Sequence, residues 1–290
     1  MSKHWFIWLI LLPSLIFLAL FTYFPLARSL YDSFFDTRAS YDSPVFVGVN
    51  NFSRLLHDDV FWQALLNNII YIFLTLVPGV LLALLLALAL NKNSYVNRIL
   101  RTAFFFPMII PMVSAAALWL FIFMPNLGLL DHYLSKLFGA MNNNWLGRSN
   151  WVLGSLAIIG VWKFAGYYML FFLAGLQSLP ASAREAAIME GATAQQVFWN
   201  VTLPLLRPTI NFVLVTAFIY SITQIDHIPV MTHGGPNNAS TVLLYYIQSL
   251  SWDTHDMGKA SAATFLTLVG LFIFSGFNLR LLEKKAHYER

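Results

Sequence analysis

Long apolar runs broken by short polar intervals dominate the chain. Six runs reach about the 20 residues that a helix needs to cross the hydrocarbon core of a bilayer. They lie near Phe6–Arg28, Leu65–Leu90, Leu100–Met124, Trp151–Gly175, Pro208–Ile228 and Ala260–Leu282. The pattern predicts an all-α membrane protein with six transmembrane helices in one domain spanning residues 1–290. No internal repeat or low-complexity tract interrupts it. The first run has no small-residue cleavage site and continues through Pro25-Leu26-Ala27-Arg28 into a polar loop, so it reads as a retained span.

Composition narrows the class. Hydrophobic residues make up 58% of the 290, charged residues only 10%, and mean hydropathy is +0.66. A soluble domain carries about 25% charged residues, and a chain this poor in charge cannot cover a water-facing surface. With no cysteine present, disulfides and thiolate metal sites are excluded.

Orientation follows from lysine and arginine, which accumulate on the cytosolic side of a membrane. With the N-terminus inside, ten basic residues (Lys3, Lys92, Arg98, Arg101, Arg184, Arg207, Arg280, Lys284, Lys285, Arg290) lie inside. Six (Arg28, Arg38, Arg54, Lys136, Arg148, Lys259) lie outside, and Lys163 falls within a span. Both termini are expected in the cytoplasm. The outer loops are then Tyr31–Phe61, Asn126–Asn150 and Pro229–Met257. In the first, Phe46–Phe52 predicts a short extended piece or an interfacial helix. In the last, His233-Gly234-Gly235-Pro236-Asn237-Asn238 is a turn signal. His227, His233 and His255 are expected to be solvated loop residues.

One polar interval, residues 178–206, is too long for a connection and is rich in helix formers. Pro180 suits a first helical position. Ala181, Ala183, Glu185, Ala186 and Ala187 carry a short helix, and Gly191 supplies a left-handed end. Thr193 caps a second short helix, and Leu203-Pro204 is expected to stop it before the fifth span. The result is a folded cytosolic elbow, with Met189 and Phe198 as apolar knobs: a docking surface for a partner.

Within the spans, Pro107 and Pro111 are expected to bend the third helix, and Ser114–Ala117 to let a neighbour approach closely. Lys163 is the one basic residue well inside a span. It reads either as a cationic contact for an anionic or polyhydroxyl cargo or as a helix-pairing or snorkelling lysine. Trp119, Tyr167, Tyr168, Tyr220 and Gln224 are further candidates for a solute pathway, since aromatic faces stack on sugar C–H groups and amides bond hydroxyls.

Some chemistry is missing. No G-x-x-x-x-G-K-[ST] phosphate loop occurs, and Gly258-Lys259 lacks both its upstream glycine and its hydroxyl. No acidic residue occupies the middle of a span, which weakens a proton- or sodium-driven mechanism. No catalytic Ser/His/Asp set, HExxH or Cys/His cluster appears, so neither an enzyme nor a metal site is expected.

The elbow resembles the cytoplasmic EAA loop of membrane subunits of ATP-binding-cassette (ABC) importers. It matches at Glu185, Ala186, Ala187, Gly191, Leu203 and Pro204, with Val201 in place of the usual isoleucine. Phe46–Phe52, Val161–Tyr167, Gly175–Pro180 and Gly234-Gly235-Pro236 with Thr241 and Tyr245-Tyr246-Ile247 extend the resemblance over nearly the whole chain. It is closest to the carbohydrate-uptake branch, the maltose and glycerol-3-phosphate type, and within it to the first glycerol-3-phosphate-type permease subunit. The resemblance implies a permease moving a sugar, polyol or glycerol-phosphate compound. It implies three kinds of partner: a second homologous permease, a dimer of cytosolic ATPases holding ATP and Mg, and an extracytoplasmic solute-binding protein. No cofactor is expected in this chain, and no nucleic acid. The location implied is the bacterial inner membrane. The alternative is a gradient-driven secondary transporter or channel with no ATPase.

Overall fold

The computed structural model describes residues 4–38, 44–138 and 144–286, and side-chain surroundings for residues 8–38, 44–137 and 144–273. It is helical throughout, with one small hairpin among the described residues. Among the described residues, three continuous stretches are long and apolar enough to cross a membrane: Trp8–Asp32, Asp59–Leu90 (α4) and Ser149–Ser178 (α8), of 25, 32 and 30 residues. At 1.5 Å per residue the two longer ones exceed the ~30 Å hydrocarbon core by several turns.

The third expected span is not one helix. It divides into α5 (Tyr95–Ile109) and α6 (Met112–Ile122), bent by 102° at the break. Pro111 has no N–H to continue the ladder, and Ile110 is driven into the extended region, as residues before proline are. The fifth expected span is α12 (Arg207–Thr223), shorter than read, and its helix ends before Gln224. The last is carried by α15 (Met257–Ala286).

Two other prolines are absorbed without a break. α1 (His4–Leu18) passes through a π-helical turn, Ala19–Tyr23, into α2 (Phe24–Asp32), which contains Pro25. A second π turn, Phe198–Thr202, leads in the same way to Pro204. In both, one wider i→i+5 turn ends two residues before the ring. The helix thus ends one residue beyond the expected stop at Leu203-Pro204. It reaches Leu205 and turns by 66° into α12.

By contacts the chain forms two compact units, Met1–Trp62 with Tyr245–Arg290, and Gln63–Leu244. In the first, strands β1 (Phe35–Asp36) and β2 (Val45–Phe46) pair antiparallel, and α3 (Asn50–Leu56) follows. Phe46–Phe52 is therefore both of the things expected: an extended pair, then the start of a helix. The Asn51 amide is buried and donates to the carbonyls of Ser33 (2.9 Å) and Phe35 (2.8 Å). Ion pairs Arg54–Asp256 and Lys259–Asp58 hold α3 and the start of α4 to the start of α15. Tyr246 donates to Asp58 at 2.7 Å. Burial alone would raise the Asp58 carboxyl, but the donors from Lys259, Tyr246 and the Val60 amide outweigh it and leave the group below the usual carboxylate value.

In the second unit α5 and α8 touch backbone to side. A Cβ on Gly166 would lie 1.8 Å from the Phe104 carbonyl oxygen, so glycine alone permits that approach. Between α12 and α14 (Leu243–Trp252) lies the short α13 (His227–Met231). His227 is not the solvated loop residue expected. It is fully buried, with Nε2 at 3.0 Å from the Tyr71 hydroxyl. His233 and His255 are exposed, as read.

Candidate functional site

The elbow is built as α9 (Ala181–Met189), a glycine turn, α10 (Ala194–Val197), the second π turn and α11 (Leu203–Leu205). Gly191 sits at φ +84°, the left-handed conformation that ends a helix. The Thr193 hydroxyl accepts from the Gln196 amide, and the Gln196 side chain accepts from the Thr193 N–H: a reciprocal capping box. Two short helices too small to be stable alone are thus pinned at their junction.

Most of α9 faces outward. Glu185 and Ala186 are exposed, Ala187 is half-buried, and Met189 projects almost fully. Phe198, expected as a second knob, is half-buried, and the outward aromatic is its neighbour Trp199. Nothing in the spacing separates the two, because the π turn resets the helical phase there. Leu203 and Pro204 are half-buried. Behind the elbow lies a cavity of about 780 Å³, walled by Leu88 and Asn91, by Leu176 of α8, and by Arg184, Glu185, Ile188 and Phe198 of the elbow. The elbow is therefore a folded shelf that stands off from α4 and α8 and presents Glu185, Ala186, Met189 and Trp199.

The pathway candidates do not form one group. Tyr167 and Tyr220 lie 5.8 Å apart by ring centroid, and Tyr168 is 5.8 Å from Tyr167, with Phe164 stacked on Tyr168 and tilted against Tyr220. Tyr168, Tyr220 and Gln224 border a void of about 10 Å³, room for one water at most. Trp119 belongs to a different aromatic set, against Trp162 (5.6 Å) and Phe123 (5.2 Å).

Lys163 lies 5.9 Å from the Phe164 ring centroid but spends its donors on the backbone. It is only 4% exposed. Its ammonium donates to the carbonyls of Pro107 (3.2 Å), Met108 (3.3 Å) and Ile110. These carbonyls surround the α5–α6 break, where Pro111 supplies no N–H and the Ile110 amide reaches only Pro107. Three N–H groups meet three acceptors. Sequence reasoning found the lysine and the prolines separately. Their meeting required the α5–α8 approach at Gly166.

The family of binding-protein-dependent transport system inner membrane components matches residues 79–287. The chain belongs to that family. This permease is 33% identical to the sn-glycerol-3-phosphate transport system permease protein of Agrobacterium fabrum, over 97% of the chain and 96% of the relative. It is 32% identical to the protein of the same description from Yersinia enterocolitica, over 99% and 97%. A chain in the crystal structure of a bacterial alginate ABC transporter, in complex with an alginate-pentasaccharide-bound periplasmic protein, superposes with a TM-score of 0.82. That match is at 25% identity and covers 95% of the permease and 93% of that chain. The permease is thus a transport component of the ABC class, not an enzyme, and a protein of the inner membrane. The gradient-driven alternative falls with that membership.

Proposed function

We propose that the permease is one half of the membrane path of an ATP-driven importer. It crosses the bilayer six times with both termini in the cytoplasm and pairs with a second, homologous permease. Its elbow, residues 178–206, docks on one subunit of a cytosolic ATPase dimer, which holds the ATP and Mg. Glu185, Ala186, Ala187, Gly191, Leu203 and Pro204 carry that contact. A solute-binding protein delivers a sugar, polyol or glycerol-phosphate compound to the loops of the opposite face, and closure of the ATPases moves the helices through the elbow. Tyr167, Tyr168, Tyr220 and Gln224 form the part of the pathway that this chain contributes. Trp119 lies apart from them, and Lys163 spends its donors on the backbone. The names of the relatives support the cargo class.

The observation that carries the reading is the elbow itself: a capped, ordered shelf exposing Glu185, Ala186 and Met189 above a cavity. A loop with no partner has no need of that order, since connections between helices take about 2–8 residues. Affinity purification of the chain from its own membranes is expected to bring an ATPase and a second permease in stable ratio. Solute uptake by the purified chain alone, driven by an ion gradient, would refute the proposal.

A further inference from the structure

Four polar residues recur at intervals of four along α4: Gln63, Asn67, Tyr71 and Thr75. That spacing places them on one helix face. Each is bonded to the segment 221–241. Gln63 Nε2 donates to the Asn237 carbonyl (3.2 Å), and Asn67 Nδ2 to those of Asn238 (2.8 Å) and Thr241 (2.9 Å). The Tyr71 hydroxyl pairs with His227 Nε2 (3.0 Å), and the Thr75 hydroxyl with that of Ser221 (2.8 Å). Gln63 and Asn67 both bond the stretch Asn237–Thr241, and from Asn67 to Thr75 the partners run backwards along the segment to His227 and Ser221.

The last two rungs, at Tyr71 and Thr75, bracket a defect. α12 ends at Thr223, Gln224 has left the helical region (φ −96°, ψ 73°), and α13 begins at His227. The break Gln224–Asp226 therefore lies between an anchor at Ser221 and an anchor at His227, both tied to α4. Irregular backbone at membrane depth is tolerated where it is buried in protein or lines a cavity, and this one borders the void shared by Tyr168, Tyr220 and Gln224. The His227 rung is made at a cost, since its other ring nitrogen, Nδ1, is buried without a partner. A ring placed only for packing would be apolar.

We infer that Tyr71 and Thr75 are positioning residues of transport: through His227 and Ser221 they hold the Gln224–Asp226 break in place. The inference rests on the reading of Gln224 as a pathway residue. Tyr71→Phe and Thr75→Val remove the two hydroxyls and keep the side-chain shapes.

The chain has no cysteine of its own, so a single introduced thiol reports on one place. Ile225, inside the break, is 3% exposed, and Ala157, on α8, is also 3% exposed. In the assembled transporter in membrane vesicles, N-ethylmaleimide should label Ile225→Cys at least tenfold faster when Tyr71→Phe and Thr75→Val are combined. Labelling of Ala157→Cys should stay within twofold. Cutting the same rungs from the other side, with His227→Gln and Ser221→Ala, should give the same result, and provides a second route should the first pair assemble poorly. An unchanged rate at Ile225→Cys, or equal acceleration at Ala157→Cys, overturns the inference. In parallel, Gln224→Ala and the double variant should each lower the sn-glycerol 3-phosphate imported per ATP hydrolysed, with no further loss when all three changes are combined. Normal uptake by Gln224→Ala, with the labelling as expected, would remove Gln224 from the pathway and leave the ladder's positioning role standing.

Discussion

Replacing Lys163 by methionine tests how a 102° break is kept inside a membrane protein. The side chain keeps its length and apolar stem, so little packing is lost. What disappears is a donor to three carbonyls. Pro107 retains the Ile110 amide at 3.3 Å, which leaves Met108 and Ile110 to carry the loss. A buried carbonyl stripped of its partner costs about 1–3 kcal/mol, so two cost about 2–6 kcal/mol. Relief from holding an ammonium out of water returns part of this, and we expect a net destabilisation of about 3 kcal/mol. By the scaling for large domains that is a fall of roughly 6–12 °C in the thermal midpoint. The assay is thermal unfolding of the purified complex beside yield of assembled complex and basal ATP hydrolysis. Lys163→Met should lower midpoint and yield together, and uptake only in proportion to the complex that survives. A normal midpoint with lost uptake would mean that the ammonium reads cargo. A normal midpoint with normal uptake would mean that the three carbonyls do not depend on it, and would refute the argument outright.

Other outcomes follow from the same geometry. Gly166→Ala should force α5 from α8 and lower the thermal midpoint or the yield of complex, by the roughly 1–3 kcal/mol typical of overpacking; wild-type stability would deny the close approach. Gly191→Pro, which cannot hold φ +84°, and Glu185→Lys should each abolish transport-coupled ATP hydrolysis while membrane insertion, checked by protease protection, stays intact. Asp58 is held below its ordinary value, so its contribution is complete above the unfolded value near ~4 and is lost as pH falls through the lower folded value. The thermal midpoint of Asp58→Asn should accordingly fall less than that of the unaltered protein between pH 5 and pH 3, and parallel curves would contradict the assignment.

The line between what was legible in the sequence and what was not runs along a physical boundary. Hydrophobic run length marked where the helices lie, because lipid allows a spanning segment few alternatives to a fully bonded helix. The elbow was legible down to its Thr193 cap and Gly191 turn, because capping and left-handed ends are local chemistry. The bend at Pro111 was legible too, but not how the backbone would respond at each proline. Pro25, Pro111 and Pro204 carry the same ring, yet one breaks a helix by 102° and two are absorbed by a π turn. The difference lies partly in what receives the freed carbonyls. At Pro111 a lysine 53 residues away in sequence meets the Ile110 carbonyl, and no local window contains both.

His227 was misread for a related reason. Beyond the end of an apolar run a histidine looks solvated, and only the helix break after Thr223 carries it back against Tyr71. One non-local signal was nonetheless present in the sequence: polar residues at 63, 67, 71 and 75 on a helix otherwise as apolar as any in the chain. In water such a stripe would mean a solvated face. In a span, where each unpaired polar group costs several kcal/mol, it means a partner strand or helix with matching groups. The period of the polar residues inside a hydrophobic run therefore carries tertiary information that the run itself lacks: it says that a polar partner must face that stripe, and the fold supplies it as the segment holding Ser221, His227 and Asn238.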